Sequence, residues 1–276
     1  MGTGIALGAS VRGTLNRASA LALPVAPYFA VLAAISLLVR GGVLMLGVEG
    51  LAAQTPYVLS TILWLIVAAR TYQLGLGRTD DANLFSGSIR LGLATSLILF
   101  LFSMVFFIIG LFLVIFSGIL LATVDFDPEK AETDPAEFAR AAGELATSAG
   151  GVILVLLIIA AVLGIGWIAA RLVLFGVKTI EVGRVRVLQT WDQTRGNGWK
   201  ILALGTLLVA LPYLLAALGS LGVYSFFGGP TLTADLTAQA VYWIVAFPAF
   251  LISHAFALQV HGSVTEYAVD VENAFG

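Results

Sequence analysis

Apolar residues in this chain run in long blocks, and the polar residues collect between them. The blocks lie at about Pro24–Leu46, Pro56–Leu74, Ile89–Val124, Gly151–Thr179, Ile201–Phe227 and Ala238–Val260. A helix needs about 20 apolar residues to cross roughly 30 Å of hydrocarbon. Each block therefore predicts a spanning helix. The fold class expected is all-α, a polytopic membrane bundle of six transmembrane helices with amphipathic cytoplasmic segments, forming a single transmembrane domain over residues 1–276. Beyond Arg90 at its start, neither a charge nor a proline interrupts the third block, so one long tilted helix is expected there rather than a re-entrant break near Gly110 or Ser117–Gly118. Pro212 and Pro248 fall inside the fifth and sixth blocks, where each removes a backbone hydrogen bond and predicts a bend.

The polar segments set the expected orientation. Lysine and arginine gather before the first block (Arg12, Arg17), after the second (Arg78, Arg90) and after the fourth (Lys178, Arg184, Arg186, Arg195, Lys200). The segment at 125–148 holds only Lys130 and Arg140, among Asp125, Asp127, Glu129, Glu132, Asp134, Glu137 and Glu144. The positive-inside bias then puts both termini in the cytoplasm and the acidic segment outside. The tail acids Glu266, Asp270 and Glu272 count little in that rule. The apolar stretch from Leu21 to Val48 is too long for a signal-peptide core and reads as an uncleaved first span.

Composition agrees with this reading. Of 276 residues, 59% are hydrophobic and 11% charged, too few charges for a water-exposed surface. Mean hydropathy is +1.01. A net charge of −2 points away from nucleic acid, and the absence of cysteine removes thiolate metal sites, disulfides and thiol nucleophiles. No phosphate-binding glycine loop, serine-hydrolase elbow or zinc-protease helix is present. The expectation is a non-enzymatic protein without cofactor or metal.

The chain also divides into three consecutive out-and-back units, whose cytoplasmic segments are about Ala9–Ala22, Ala82–Arg90 and Glu181–Lys200. The echo Ala68-Ala69-Arg70 and Ala169-Ala170-Arg171, each preceded by a tryptophan (Trp64, Trp167), suggests internal repetition. In the third segment Val182, Val185, Leu188 and Trp191 recur every three residues. This predicts an amphipathic helix in the membrane interface, with Arg184, Arg186 and Arg195 near anionic headgroups and Trp191 and Trp199 as anchors. The same stripe would equally pack on the bundle. At 134–148, Asp134, Pro135 and Glu137 precede Phe138, Ala142 and Leu145, the signature of a capped surface helix.

Ionisable residues inside spans are costly and count as candidate sites. Arg70, Arg171 and His254 lie towards the inner ends of three returning spans. One reading joins them in a cytoplasm-facing pocket that binds a phosphate or carboxylate. The other has the arginines reaching to lipid phosphates and His254 bonding to a neighbouring helix. Lys178 and Glu181, three apart, are expected to pair.

At Arg171–Lys200 the chain resembles bacterial multi-pass families related to the membrane domain of glycerophosphoryl diester phosphodiesterases and to YciC-like inner-membrane proteins. The residues concerned are Arg171, Glu181, Trp191, the turn Thr194-Arg195-Gly196-Asn197, and Trp199. Gly176 and Val177 stand where that family usually has a proline. The resemblance implies a bacterial inner-membrane protein; it does not imply a phosphodiesterase, because that activity resides in a separate soluble domain. Two functions follow as expectations. One is an accessory subunit or lipid-interacting scaffold, with anionic lipids and another membrane protein as partners. The other is a small transporter or channel for an anionic or amphipathic solute.

Overall fold

The computed structural model describes residues 5–78, 83–229 and 231–275, leaving aside the side chains of 128, 133, 135 and 266–275. The tail acids Glu266, Asp270 and Glu272, and Ala82 of the second cytoplasmic segment, lie outside what is described. The described chain is all-α, and six of its helical stretches are long and apolar enough to cross a membrane.

In chain order the helices are α1 (Leu7–Met45), α2 (Thr55–Gly75), α3 (Leu84–Ala122), α4 (Pro128–Thr133), α5 (Pro135–Thr147), α6 (Ala149–Arg171), α7 (Phe175–Val182), α8 (Thr190–Gln193), α9 (Gly198–Gly205), α10 (Leu211–Phe226) and α11 (Leu232–Phe275). A 3-10 turn at Gly50–Gln54 precedes α2, and a π-helical turn at Thr206–Ala210 joins α9 to α10. By contacts the chain forms two compact units, Met1–Ser96 with Ala170–Gly276, and Leu97–Ala169.

The first and last spans are longer than the apolar blocks predict. The polar segment before the first block is helical and continuous with it. The reason lies in which face of α1 is covered: Ser10, Thr14, Ala18, Leu21, Val25, Phe29, Leu32 and Ser36 are buried, at steps of four and three. That spacing keeps one face of a helix turned inward, and α1 packs chiefly on α11 and α2. Small polar residues let the backbones approach. Leu23, Val31 and Leu38 on the other faces stay exposed, as hydrocarbon-facing residues should.

In the first unit the core is aromatic. Phe29 of α1 meets Trp243, Phe247 and Phe250 of α11 at ring-centre distances of 5.7, 4.8 and 5.4 Å. Trp64 of α2 stands edge-on to Phe250 at 4.7 Å. Interruptions of regular helical hydrogen bonding lie at three places near these rings. Pro24 and Pro27 are inside α1 and Pro248 is inside α11. The π turn immediately precedes Pro212, whose ring cannot donate to the preceding turn.

In the second unit the acidic segment is an organised pair of helices. Asp127 caps α4, accepting from the backbone N–H groups of Glu129 and Lys130, and Asp134 caps α5, accepting from Ala136 at 2.9 Å. Arg140 then binds Glu137 at 2.6 Å and Glu144 at 2.8 Å. Glu137 is buried beneath that guanidinium. The Arg140 hydrogen bonds hold its carboxyl down at about 2, well below the usual range. The capped helix expected at 134–148 is thus present as α5.

Candidate functional site

The segment 181–200 departs from the single amphipathic helix that its apolar spacing predicts. Helix α7 ends at Val182 because Gly183 takes a left-handed conformation, φ +66°, which costs glycine least of all residues. The backbone N–H of Arg186 then donates to the Thr179 hydroxyl at 3.2 Å, folding the chain back. Only Thr190–Gln193 is helical before α9. Arg78 closes the end of α7, donating to the carbonyls of Ile180 at 3.0 Å and Glu181 at 2.7 Å. Glu181 takes Lys178 at 2.7 Å, as the spacing predicts, and also His261 of α11 at 3.1 Å. Val182, Val185, Leu188 and Trp199 remain exposed, as do Arg184 and Arg195, while Arg186 is half-buried. The mixture of basic and apolar groups persists, carried by a loop.

The candidate residues Arg70, Arg171 and His254 are held by separate aromatic partners. Arg70 lies over the Tyr28 ring at 5.7 Å and Arg171 over Trp191 at 5.1 Å. Both side chains are buried, 8% and 5% exposed, so neither extends along the surface towards lipid phosphates. Trp191 is accordingly Arg171's partner rather than a free interfacial anchor. His254 hydrogen-bonds through Nδ1 to the Phe250 carbonyl of its own helix at 2.8 Å, not to a neighbouring one. Its ring packs on Tyr72 at 4.8 Å. Among the described residues no cluster of metal-ligating side chains occurs.

A different site lies at the opposite end of α2, where the α1–α2 and α10–α11 connections meet. Residues of α1, α2, α10 and α11 line an open cavity of about 520 Å³. Its mouth is charged. Arg40 of α1 binds Asp235 of α11 at 3.3 Å and donates to the Tyr57 hydroxyl of α2 at 3.2 Å. The Tyr224 hydroxyl of α10 donates to the other Asp235 oxygen at 2.6 Å. One residue from each of the four helices thus joins a single network. Ser60, Thr61, Ser220 and Gln239 line the walls, with Tyr213 and Tyr242, and Trp64 and Trp243 form the floor.

The depth follows from helix geometry. From Thr55 to Trp64 the chain rises about 14 Å, and from Leu232 to Trp243 about 16 Å, roughly half of a 30 Å hydrocarbon layer. Beyond the floor come Phe29, Phe247 and Phe250, packed ring on ring. The Trp243 indole N–H is buried there with no hydrogen-bond partner among the described residues. Arg40 falls near the end of the first apolar block, Pro24–Leu46, where nothing in the sequence points to its partners. Asp235 stands in the first turn of α11.

Chemically, the cavity offers one cation, one anion and several hydroxyls above an aromatic base. No family model, curated protein or solved structure matches the chain.

Proposed function

We propose that this six-span membrane protein is a small transporter or channel whose solute enters the cavity between α1, α2, α10 and α11. The observation that supports this best is the cavity's extent: it runs from one end of the bundle to about mid-span and stops on packed aromatic rings. A pathway open to one side and closed to the other has that form. Prolines or a π turn interrupt regular hydrogen bonding near the closure in three of the four wall helices, where a rocking motion needs give. The Lys/Arg distribution favours an opening on the outer face and termini in the cytoplasm. The resemblance at Arg171–Lys200 is the ground for proposing a bacterial inner membrane.

The absence of cysteine makes the test direct. Single cysteines at Ser60 and Gln239, which line the cavity, should react with a membrane-impermeant charged thiol reagent added to one side of intact cells or oriented vesicles. A cysteine at Leu99, exposed on the apolar α3, should not, because thiolate does not form in hydrocarbon. Equal reactivity at all three positions, or none at Ser60 and Gln239, would remove the proposal.

A second reading has its own observation. The exposed Leu188 and Trp199 stand beside Arg184, Arg186 and Arg195, a combination suited to an anionic lipid surface. Under that reading the protein is a lipid-associated scaffold or accessory subunit. Charge reversal at the three arginines should strip bound anionic lipid in native mass spectrometry, and unchanged retention would count against it.

A further inference from the structure

The charge balance of the cavity narrows the class of solute. Apart from tyrosine hydroxyls, the ionisable groups lining it are Arg40 and Asp235, paired at 3.3 Å and each mostly covered, with side chains 21% and 17% exposed. A simple anion binding Arg40 would displace Asp235 and leave its carboxylate with the Tyr224 hydroxyl as its remaining partner. A simple cation binding Asp235 would strand Arg40 in the same way, against Tyr57. Breaking a covered ion pair by removing one partner is strongly unfavourable, because the other charge stays uncompensated. A molecule carrying both charges avoids this. Its acidic group replaces the Asp235 carboxylate at Arg40 while its ammonium replaces the guanidinium at Asp235, and neither protein charge is stranded. The aromatic lining adds a second requirement. Trp64 and Trp243 in the floor, with Tyr213 beside them, suit an apolar body, and aromatic rings also attract an ammonium group.

We infer that the cavity binds a zwitterion with an apolar body, an ammonium and a carboxylate or phosphate within one molecule, rather than the anionic solute that the arginines of the spans suggest. This rests on the cavity being the solute site. The chemistry is shared by aromatic amino acids and by the headgroup of phosphatidylethanolamine, and the test separates the two.

Purified protein in detergent is titrated with L-phenylalanine, phenylacetate and phenethylamine, which share a ring and differ in charge. A second series uses dihexanoyl phosphatidylethanolamine and dihexanoyl phosphatidylglycerol. Binding is followed by calorimetry. The zwitterion of at least one series should bind about ten-fold tighter than its singly charged analogues, a difference of about 1.4 kcal/mol. Selectivity in the first series identifies a free solute, and in the second a lipid. The double variant R40Q/D235N removes both charges together, leaving none stranded, so it should unfold near the wild-type temperature. It should also lose the zwitterion preference. Equal or tighter binding of phenylacetate or phosphatidylglycerol, retention of the preference in R40Q/D235N, or no saturable binding by either zwitterion would overturn the inference. If Ser60 and Gln239 cysteines remain water-accessible in that event, the transport reading survives and only the ligand class fails.

Discussion

Gly176, on the first turn of α7, provides the sharpest test of the packing. A methyl group built there would lie 2.6 Å from Tyr72 Cε2 and 2.9 Å from its Cζ and Oη. Real side chains do not approach so closely, so something must move. Tyr72 has little freedom, because it is buried and its ring packs on His254 at 4.8 Å, and His254 is fixed to the Phe250 carbonyl. Gly176→Ala should therefore carry an overpacking cost of about 1–3 kcal/mol. It also brings the helix-propensity gain of alanine over glycine, up to about 1 kcal/mol. Gly164→Ala in α6 isolates the first effect, because nothing lies within 4 Å of a methyl group there. The difference between the two variants should be about 1–3 kcal/mol, or roughly 5- to 150-fold in the unfolding equilibrium constant. Reversible unfolding in mixed micelles of mild detergent and dodecyl sulfate measures it. Tyr72→Leu combined with Gly176→Ala should recover part of the loss, a coupling visible in a double-mutant cycle. Equal stability of the Gly176→Ala and Gly164→Ala proteins, or strict additivity with Tyr72→Leu, would refute the contact.

Two further outcomes concern the bundle ends. Arg78→Ala removes the donors to the Ile180 and Glu181 carbonyls. It should cost about 1–2 kcal/mol in the same assay and raise hydrogen exchange at 179–186, with Arg78→Lys intermediate because a single ammonium lacks the fork. Unaltered exchange in that segment would show the cap to be inconsequential. Glu137 is held at about 2 by Arg140, below its ordinary 4.5, so its contribution is complete above pH 4.5 and fades as pH falls towards 2. Proteolysis of the 125–148 segment by an acid-active protease should accelerate across that window in the wild type and change less in Glu137→Gln. Identical pH profiles would contradict the Arg140 contact.

The spans were legible because hydrocarbon as solvent forces long uncharged helices, and the Asp134 cap and the Lys178–Glu181 pair because they depend on near neighbours in sequence. The inward face of α1 was not legible. Lipid is as apolar as a protein interior, so Leu23 facing out and Leu21 facing in carry the same label, and Ser10, Thr14 and Ser36 inside resemble surface positions. The break at Gly183 was hidden by the apolar residues Val182, Val185, Leu188 and Trp191 at the right interval. The cavity escaped for a different reason. Arg40 and Asp235 are 195 positions apart, and their network needs four helices assembled before any one member looks unusual.

The π-helical turn at Thr206–Ala210 holds the register of one cavity wall. Such a turn accommodates one residue more than an α-helical path would, and one residue corresponds to a rotation of about 100°. Shortening that stretch by a single residue would let the helix close as a regular α-helix and swing Tyr213, Ser220 and Tyr224 a quarter-turn or more around its axis. The hydroxyl that now steadies Asp235 would be carried off the cavity wall. The aim of an entire helix face thus hangs on one surplus peptide unit, placed where hydropathy alone leaves no trace of it.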